Sequence, residues 1–549
     1  MVWAVQSHAG TVEDGRKSGM DIHHVPAVDR IASAKGHYKA GHGKGPLRPH
    51  VPLRYLPPRH PTQPTPPAKS HTSISPTQNL NNPETVKKTL DCQGLELKRT
   101  SSGPIHPVGI MSDRAAPGLS YGLERVLFNP GVHWLRDIRT NVFNYDPFLR
   151  QIPAPEEFNF NAVPEFIPAS KDSGLHRLAS QEGCSFVTST SSISQSMGSI
   201  YFVLSKMKPL NLEGLSQHFL EEPKTFTMLT RSPTTVLLRP HGPNLRSIVV
   251  EKAKEPENVL QKLGQMMERL LTEPKANFQK MLANSSEAPE IRDSEAYAYT
   301  AVHDCQDPRL PRKTFDLKTR AALPVRMDIQ NYKNYRDYRI ISNTGLYSSY
   351  ERDFQVRIGD MDGIFVAYHN AFEIFGFQYV SRDEMDERIY GNSATGDAAF
   401  NLILQVYNEL LAAIVPLYPR EHSIRLTFSS DRAGNKLTVF AEDAGLDELQ
   451  QGVQVRQFNV TLGSVLNGFR TEHVLLDPRG TDEWKINMAI TQTATNPSEY
   501  DAVRAKVTAV RGDPEDGRGD NFLRIIKENN NTFPRSENVP DITAPWTIL

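Results

Sequence analysis

The segment from His303 to Ala321 carries the side chains best suited to chemistry. Successive side chains of a strand alternate between its two faces, so a strand over Thr314–Thr319 places Asp316 and Lys318 side by side on one face. Asp304 precedes this pair by a Pro-containing turn, which can bring a second carboxylate to the same sheet edge. Two neighbouring carboxylates favour a divalent cation, and oxygen ligands suit Mg²⁺ or Mn²⁺. The lysine can orient a water or stabilise charge on a phosphate under attack.

A helix predicted over Asn258–Leu271 supplies a further carboxylate. Its apolar residues recur with a period of 3.6 and form one stripe. Glu268 lies at the flank of this stripe, where it either reaches the sheet edge or is solvated. The alternative for Asp316 and Lys318 is a structural ion pair without catalytic function.

The surrounding elements predict a mixed α/β domain. Strands are expected at Val236–Leu238, Ser247–Val250 and Ala296–Val302, with a hairpin formed by Gly363–Tyr368 and Glu373–Val380. An apolar helix from about Asp397 to Val415 closes the predicted core. The longest apolar stretch, around Leu410 to Leu417, is broken by Pro416 and is well short of the roughly 20 residues that a membrane span requires, so no transmembrane helix is expected.

Composition limits the function classes. The chain has 62 Lys+Arg against 63 Asp+Glu, for a net charge of -1, so bulk positive charge cannot drive nucleic-acid binding. Its 3 cysteines form no disulfide framework and no zinc motif. A nucleoside-triphosphate-binding GxxxxGK[ST] loop and a GxSxG nucleophile elbow are both missing from the sequence.

The chain divides into four predicted parts. Residues 1–115 are basic and rich in Pro, and we expect a disordered targeting and linker region. Residues 116–225 contain an aromatic, Pro-rich strap between Asn129 and Phe166, which packs on its own domain or on a partner. Residues 226–465 form the α/β core, and residues 466–549 a partly disordered C-terminal extension.

Candidate RNA-binding residues follow the Asp316/Lys318 strand. Arg320 and Arg326 are placed for backbone phosphates. Lys333 and Arg336 interleave with tyrosines, as in single-stranded RNA sites where bases stack on rings, or they belong to a partly packed helix. Asp360 and Asp362 are interpreted as turn residues rather than metal ligands.

The arrangement of an Asp followed by (D/E)-x-K on adjoining strands resembles the active site of the PD-(D/E)XK nucleases. Longer strings resemble the fungal mitochondrial Pet-type RNA 5′-end processing and turnover proteins, a divergent branch of these nucleases. They are VLFNPGVHWLRD, FIPASKD, STSSISQ, LTRSP, LGQMMERLLT, DPRLP with FDLKTRAA, and RIGDMDGIFVAYHN with FGFQY, in this order from Val126 to Tyr379.

The resemblance implies a PD-(D/E)XK nuclease-like core and a metal-dependent 5′-to-3′ exoribonuclease of mitochondrial transcripts. It also implies association with the mitochondrial RNA polymerase and peripheral contact with the inner membrane. By position it assigns Mg²⁺ or Mn²⁺ ligands to Glu268, Asp304 and Asp316, catalysis to these three and Lys318, and substrate positioning to Gln378.

The strand before Asp304 is shorter than in the family, which makes Asp307 a fallback ligand. The shortened strand also favours an alternative, a catalytically silent nuclease-fold scaffold that binds RNA or the polymerase. A DNA nuclease is a third hypothesis, because the sequence contains no readable contact to a 2′-hydroxyl.

Overall fold

The structure is a computed structural model that describes residues 3–6, 85–91, 116–162, 167–211, 231–251, 259–282, 305–322, 325, 328–337, 353–445, 454–471 and 483–511. Within these ranges the chain forms two mixed β-sheets and a set of helices packed against them. The predicted fold class, an α/β protein with helices flanking mixed sheets, is confirmed.

The strands are numbered in chain order. They are β1 (Trp3–Gln6), β2 (Thr85–Asp91), β3 (Val132–Trp134), β4 (Phe186–Ser189), β5 (Thr234–Pro240), β6 (Arg246–Val250), β7 (Cys305–Gln306), β8 (Thr314–Ala321), β9 (Gly363–His369), β10 (Ile374–Ser381), β11 (Ile424–Ser430), β12 (Leu437–Asp443), β13 (Arg456–Leu466), β14 (Phe469–Thr471) and β15 (Trp484–Thr493).

The α-helices are numbered in the same way. They are α1 (Ser173–Gln181), α2 (Thr190–Leu204), α3 (Val259–Thr272), α4 (Lys275–Lys280), α5 (Asp353–Ile358), α6 (Arg382–Ile389), α7 (Ser393–Ile414) and α8 (Pro497–Arg511). The helix predicted from the period of 3.6 agrees with α3 to within one residue at each end.

The larger sheet has 10 strands in the order β1-β4-β6-β5-β11-β12-β13-β15-β2, and β14 pairs with β13. Two of its strands correct the predicted division of the chain. Residues 1–115 are not disordered throughout, because β2 pairs along its whole length with β15. Strand β15 itself belongs to the predicted C-terminal extension, yet it pairs with β13 in the larger sheet.

The smaller sheet has 5 strands in the order β3-β10-β9-β8-β7. Strands β8 and β9 are parallel, and the other neighbours are antiparallel. The predicted hairpin is confirmed as β9 and β10. The predicted strand at 296–302 lies outside the described residues.

Both faces of the smaller sheet are buried. One face, with Ile364 and Val366, shares a core with helices α2, α5, α6 and α7 and with the larger sheet. The opposite face, with Phe315 and Phe365, packs against α3. A helical layer therefore separates the two sheets, and α3 covers the outer side of the smaller one.

Helix α7 is the core helix that the sequence predicted. With the turn that follows, Ser393–Leu417 is long and apolar enough to cross a membrane by length and composition, with a mean hydropathy of 1.5. However, 61% of its apolar window is buried inside the protein. Apolar burial between the sheets accounts for its composition.

The aromatic strap packs on its own domain. Tyr145 makes an edge-to-face contact with Phe377 of β10, at 5.5 Å between ring centroids. Phe148 and Phe158 both contact Phe278 of α4, at 6.1 Å and 5.8 Å. These aromatic contacts, together with the pairing of β3 with β10, leave the described part of the strap engaged within the chain.

Candidate active site

The candidate site lies on the face of the smaller sheet that is directed toward the helical layer. Residues opposite one another in neighbouring strands project to the same face. Lys318 lies beside Val366, which lies beside Gln378, so these three form one row across β8, β9 and β10. Arg320 and Tyr368 form the next row. The alternation predicted for β8 is confirmed, since Phe315 and Leu317 point into the opposite core.

Asp316 and Lys318 form an ion pair at the centre of the site. Lys318 Nζ donates a hydrogen bond to Asp316 Oδ1 at 2.9 Å and lies 2.7 Å from Oδ2. The Asp316 side chain is 2% exposed and that of Lys318 31% exposed. Oδ2 is buried and is in ion-pair contact with the Lys318 ammonium, without accepting a hydrogen bond of good geometry. Because a carboxylate has about four lone-pair sites, Asp316 can bind a further positively charged ligand in addition to Lys318.

Glu268 belongs to α3, which packs on the opposite face of the sheet, but it is close enough to Asp316 and Lys318 for both charges to act on it. The pKa of Glu268 is raised to about 7, mainly by burial and to a smaller extent by the negative charge of Asp316, against the opposing effect of Lys318 and Arg269. No hydrogen bond or ion pair links its carboxylate to another described residue. A half-buried carboxylate with a raised pKa beside a second carboxylate is typical of catalytic and metal-binding sites.

The donor set fits a hard divalent cation. Glu268 and Asp316 offer two neighbouring carboxylates, and oxygen donors of this kind are the ligands of Mg²⁺ and Mn²⁺. In the described part of the chain no cluster of three or more His, Cys, Asp or Glu residues could hold a metal. The third predicted ligand, Asp304, lies outside the described residues, directly before Cys305 of β7.

Asp307, the predicted fallback ligand, is paired with an arginine in this structure. Its backbone N–H donates to the carbonyl of Lys313 at 2.8 Å, which places it in the turn between β7 and β8. Both of its carboxylate oxygens accept hydrogen bonds from Arg309, at 2.8 Å and 2.6 Å. This bidentate ion pair lowers the pKa of Asp307 and engages its carboxylate.

Gln378 is buried on the same face as Lys318. Its Oε1 accepts a hydrogen bond from the Tyr368 hydroxyl at 2.9 Å. Sequence reasoning did not find Tyr368, although its position in β9, on the face of Val366, could have been read from the period of 2. Arg320 lies beside Tyr368, one row beyond Lys318.

The structure divides the remaining RNA-binding candidates. Arg326 lies outside the described residues. Tyr332 is buried and stacks on Phe372, with ring centroids 5.9 Å apart, while the exposed Arg336 lies 4.8 Å over the same Phe372 ring. Lys333 is exposed beside them. Tyr332 thus packs at the β9–β10 turn, and the exposed cations stay candidates for phosphate contacts.

The turn interpretation of Asp360 and Asp362 is confirmed. Asp360 has a left-handed backbone with φ of 49° and pairs with Arg312 at 3.3 Å. Asp362 accepts a hydrogen bond from the backbone N–H of Arg312 at 2.7 Å. Arg312, which precedes β8, thus contacts both of the acids that precede β9.

A buried ionic cluster beneath the site was missed by sequence reasoning. Arg357 of α5, with 0% exposure, pairs with Asp353 at 3.1 Å, with Asp397 at 2.7 Å and with Asp386. Tyr390 donates to Asp353 at 2.7 Å. Since α5, α6 and α7 each contribute a carboxylate, the cluster ties together the helices that pack on the site face of the sheet.

Comparisons with known proteins bear on this arrangement. The family described as mitochondrial protein Pet127 matches residues 166–412, which include Glu268, Asp316, Lys318 and Gln378. The mRNA degradation protein pet127, mitochondrial, of Schizosaccharomyces pombe is 32% identical over 367 residues, covering 61% of this chain and 70% of that protein. The chain belongs to the Pet127 family.

A second relative is matched over a smaller share of its own length. PET127 of Saccharomyces cerevisiae, described as a mitochondrial translation system component, is 31% identical over 339 residues, which are 54% of this chain and 40% of that protein. The chain therefore spans less than half of that relative. The mitochondrial localisation and the family predicted from the sequence are confirmed by the descriptions of the family and of the S. pombe relative.

Solved structures show weaker similarity. Rai1 of S. pombe in complex with 3′-FADP has a TM-score of 0.25 and 11% identity, covering 62% of this chain and 96% of that chain. Rai1 of Scheffersomyces stipitis in complex with (3′-NADP)⁺ and calcium ion has a TM-score of 0.22 and 11% identity, with coverage of 48% and 65%. TM-scores of this size are too low to establish a common fold.

Proposed function

We propose that this Pet127-family protein is a metal-dependent exoribonuclease that processes and degrades mitochondrial transcripts from the 5′ end. The observation that carries the proposal is the Asp316–Lys318 ion pair with its buried carboxylate, which is electrostatically coupled to Glu268 with its raised pKa. The name of the S. pombe relative as an mRNA degradation protein supports RNA as the substrate.

Each residue has a separate role in this proposal. Asp316 and Glu268 bind the cation with carboxylate oxygens, and Asp304 is the predicted third ligand. Lys318 orients the attacking water or neutralises charge that develops on the phosphate. When bound, Mg²⁺ or Mn²⁺ polarises the scissile phosphate and lowers the pKa of a water molecule.

The path of the RNA follows from the positions of the exposed and half-buried cations. Arg320 lies one row beyond Lys318 on the same face, and Lys333 and Arg336 lie by the β9–β10 turn at the same end of β8 and β9. We propose that phosphates following the scissile one contact these side chains. Removing such a contact should lower the affinity for RNA, and the loss should be smaller at high salt because counterions compete for the same phosphates.

The test uses RNA labelled at either end, with a 5′-phosphate or a 5′-hydroxyl, in Mg²⁺, Mn²⁺ or EDTA. Wild type is compared with Asp316→Asn, which keeps the size of the side chain but loses its charge. Asp307→Asn is the matched control, because it removes a carboxylate from the same segment in a turn outside the site.

Metal-dependent shortening from the 5′ end by wild type and Asp307→Asn, but not by Asp316→Asn, is the expected result. Shortening from the 3′ end would contradict the polarity, and cleavage of a DNA of the same sequence at an equal rate, measured in parallel, would contradict the substrate class. Loss of activity in Asp307→Asn with an unchanged fold would assign the first ligand to Asp307.

The second candidate function is a catalytically silent RNA-binding scaffold. It is favoured by the direct Lys318–Asp316 ion pair, which also stabilises the carboxylate without a metal. Intact RNA, bound equally by wild type and Asp316→Asn, would support it. Association with the mitochondrial RNA polymerase and with the inner membrane stays a prediction of the family resemblance.

A further inference from the structure

Two buried polar side chains contact each other on the site face of the smaller sheet. The Tyr368 hydroxyl donates to Oε1 of Gln378 at 2.9 Å, and the two residues are 5% and 2% exposed. The residue opposite Tyr368 on β10 is Gly376, which has no side chain to occupy the space between them. This contact fixes one end of the Gln378 carboxamide.

The other end of the carboxamide is an unused donor. A carboxamide is planar, with its oxygen and its NH₂ group on opposite sides of the same carbon. When Oε1 faces Tyr368, Nε2 must face away from it. In the described part of the chain Nε2 donates no hydrogen bond, and it is not one of the fully buried polar atoms that lack a partner. Nε2 is therefore open to a water molecule or a ligand, which makes it a free donor at the edge of a largely buried side chain.

The position of Gln378 identifies the partner. Gln378 and Lys318 belong to one row, separated by β9, and neighbouring strands lie about 4.8 Å apart, so their backbones are about 10 Å apart. An oxyanion bound beside Lys318 and Asp316 lies within reach of a donor projecting from this row. An amide N–H donor suits a phosphate oxygen and adds no charge.

We infer that Tyr368 is a positioning residue, whose hydroxyl aims the Gln378 amide N–H at a non-bridging oxygen of the scissile phosphodiester. The inference rests on the proposed ribonuclease function and deepens it. Tyr368 acts through Gln378 and touches no reacting atom itself. Gln378 supplies the contact to the substrate.

The hydroxyl keeps its proton at all relevant pH values. Burial raises the pKa of Tyr368 well above its usual value, and the nearby positive charge of Arg320 opposes this only in part, while Glu384 adds to it. Tyr368 is therefore a constant hydrogen-bond donor, and the orientation of Gln378 does not depend on pH.

The experiment is a double-mutant cycle on the full chain. Single-turnover and steady-state cleavage of a 5′-phosphorylated RNA are measured for wild type, Tyr368→Phe, Gln378→Ala and the double variant. Tyr407→Phe is the matched control, because it also removes a fully buried hydroxyl, one that contacts Ser196 Oγ at 3.1 Å in the core away from the site. Thermal unfolding of all variants reports folding.

Tyr368→Phe is expected to lower kcat about tenfold, equivalent to about 1.4 kcal/mol, with KM for RNA unchanged. In the Gln378→Ala background the same substitution is expected to have no further effect, because the amide that it orients is missing. Tyr407→Phe is expected to leave kcat unchanged.

Three outcomes overturn the inference. Effects of the two substitutions that multiply, or an equal loss of kcat in Tyr407→Phe, would show that Tyr368 has only a structural role. A rise in KM with unchanged kcat would place Gln378 in ground-state RNA binding instead. A wild-type protein without ribonuclease activity would overturn both this inference and the proposed function, whereas the first two outcomes leave the proposed function intact.

Discussion

Replacing Lys318 by Met tests whether the Asp316 site is built to receive a cation. The substitution keeps the length of the side chain and removes its charge, so the buried Asp316 carboxylate loses its ion-pair partner. At 2.7 Å and an effective dielectric constant of about 20, the attraction amounts to about 6 kcal/mol. Solvent around the 31%-exposed Lys318 side chain offsets part of this, so the net loss should be about 2–4 kcal/mol.

Proton uptake limits this loss and makes it depend on pH. Protonating a carboxyl group of ordinary pKa costs about 4 kcal/mol of free energy at pH 7 and about 1.5 kcal/mol at pH 5. In the variant the folded state binds more protons than the unfolded state, so its stability relative to wild type falls as the pH rises. The difference in the free energy of unfolding should therefore be larger at pH 7 than at pH 5.

The assay is urea-induced unfolding of wild type, Lys318→Met and Asp316→Asn at pH 5 and pH 7, with and without Mg²⁺. Lys436→Met is the matched control, because Lys436 forms an exposed ion pair with Glu499 at 3.3 Å and should contribute less than about 1 kcal/mol. Mg²⁺ should restore stability to Lys318→Met by replacing the missing positive charge between Asp316 and Glu268.

The reasoning would be refuted if Lys318→Met lost no more stability than Lys436→Met. It would also fail if Asp316→Asn were destabilised as much as Lys318→Met, since removing the buried charge itself leaves only a half-exposed lysine unpaired. A stability of Lys318→Met that did not respond to Mg²⁺ would argue for a purely structural ion pair.

Three further predictions concern the carboxylates and the packing around the site. A cation must displace a proton from Glu268, so the Mn²⁺ affinity measured by calorimetry should weaken by up to about tenfold per pH unit below about pH 7. Glu268→Gln should remove this pH dependence. A wild-type affinity that is constant from pH 6 to pH 8 would contradict the prediction. Arg357→Met should destabilise the protein by about 3–5 kcal/mol, since it removes the guanidinium that pairs with the buried Asp353 and Asp386. A thermal midpoint within one degree of wild type would contradict this. Phe278→Ala should lower the free energy of unfolding, measured in urea, by about 3–5 kcal/mol, because it leaves a cavity beneath the strap. A loss below about 1 kcal/mol would mean that the strap does not depend on this contact.

Local sequence patterns predicted the elements that carry the site. The period of 3.6 in α3 and the alternation in β8 depend only on which residues must face a core, so both could be read without a structure. The same alternation placed Asp316 and Lys318 on one face. Glu268 was found at the flank of the stripe for the same reason.

Other segments could not be interpreted from local patterns. The Ser/Thr-rich stretch beginning at Ser185 has low helix propensity, yet it forms β4 and the buried helix α2, because its apolar residues join the core between the two sheets. Its buried hydroxyls are satisfied by backbone carbonyls and by one another. Strand β2 lies within a Pro-rich, basic region and gains its order from β15, almost 400 residues later in the chain.

By itself, the sequence determined which side chains share a face and which chemistry they can perform, since these follow from residue type and from the repeat of each element. Only the tertiary structure decided their partners: that Asp307 is bound by Arg309, that Lys318 neutralises Asp316, and that Tyr368 holds Gln378. Partners depend on strand order and register, which are set by contacts between distant segments, and burial by those contacts raises the pKa of Glu268.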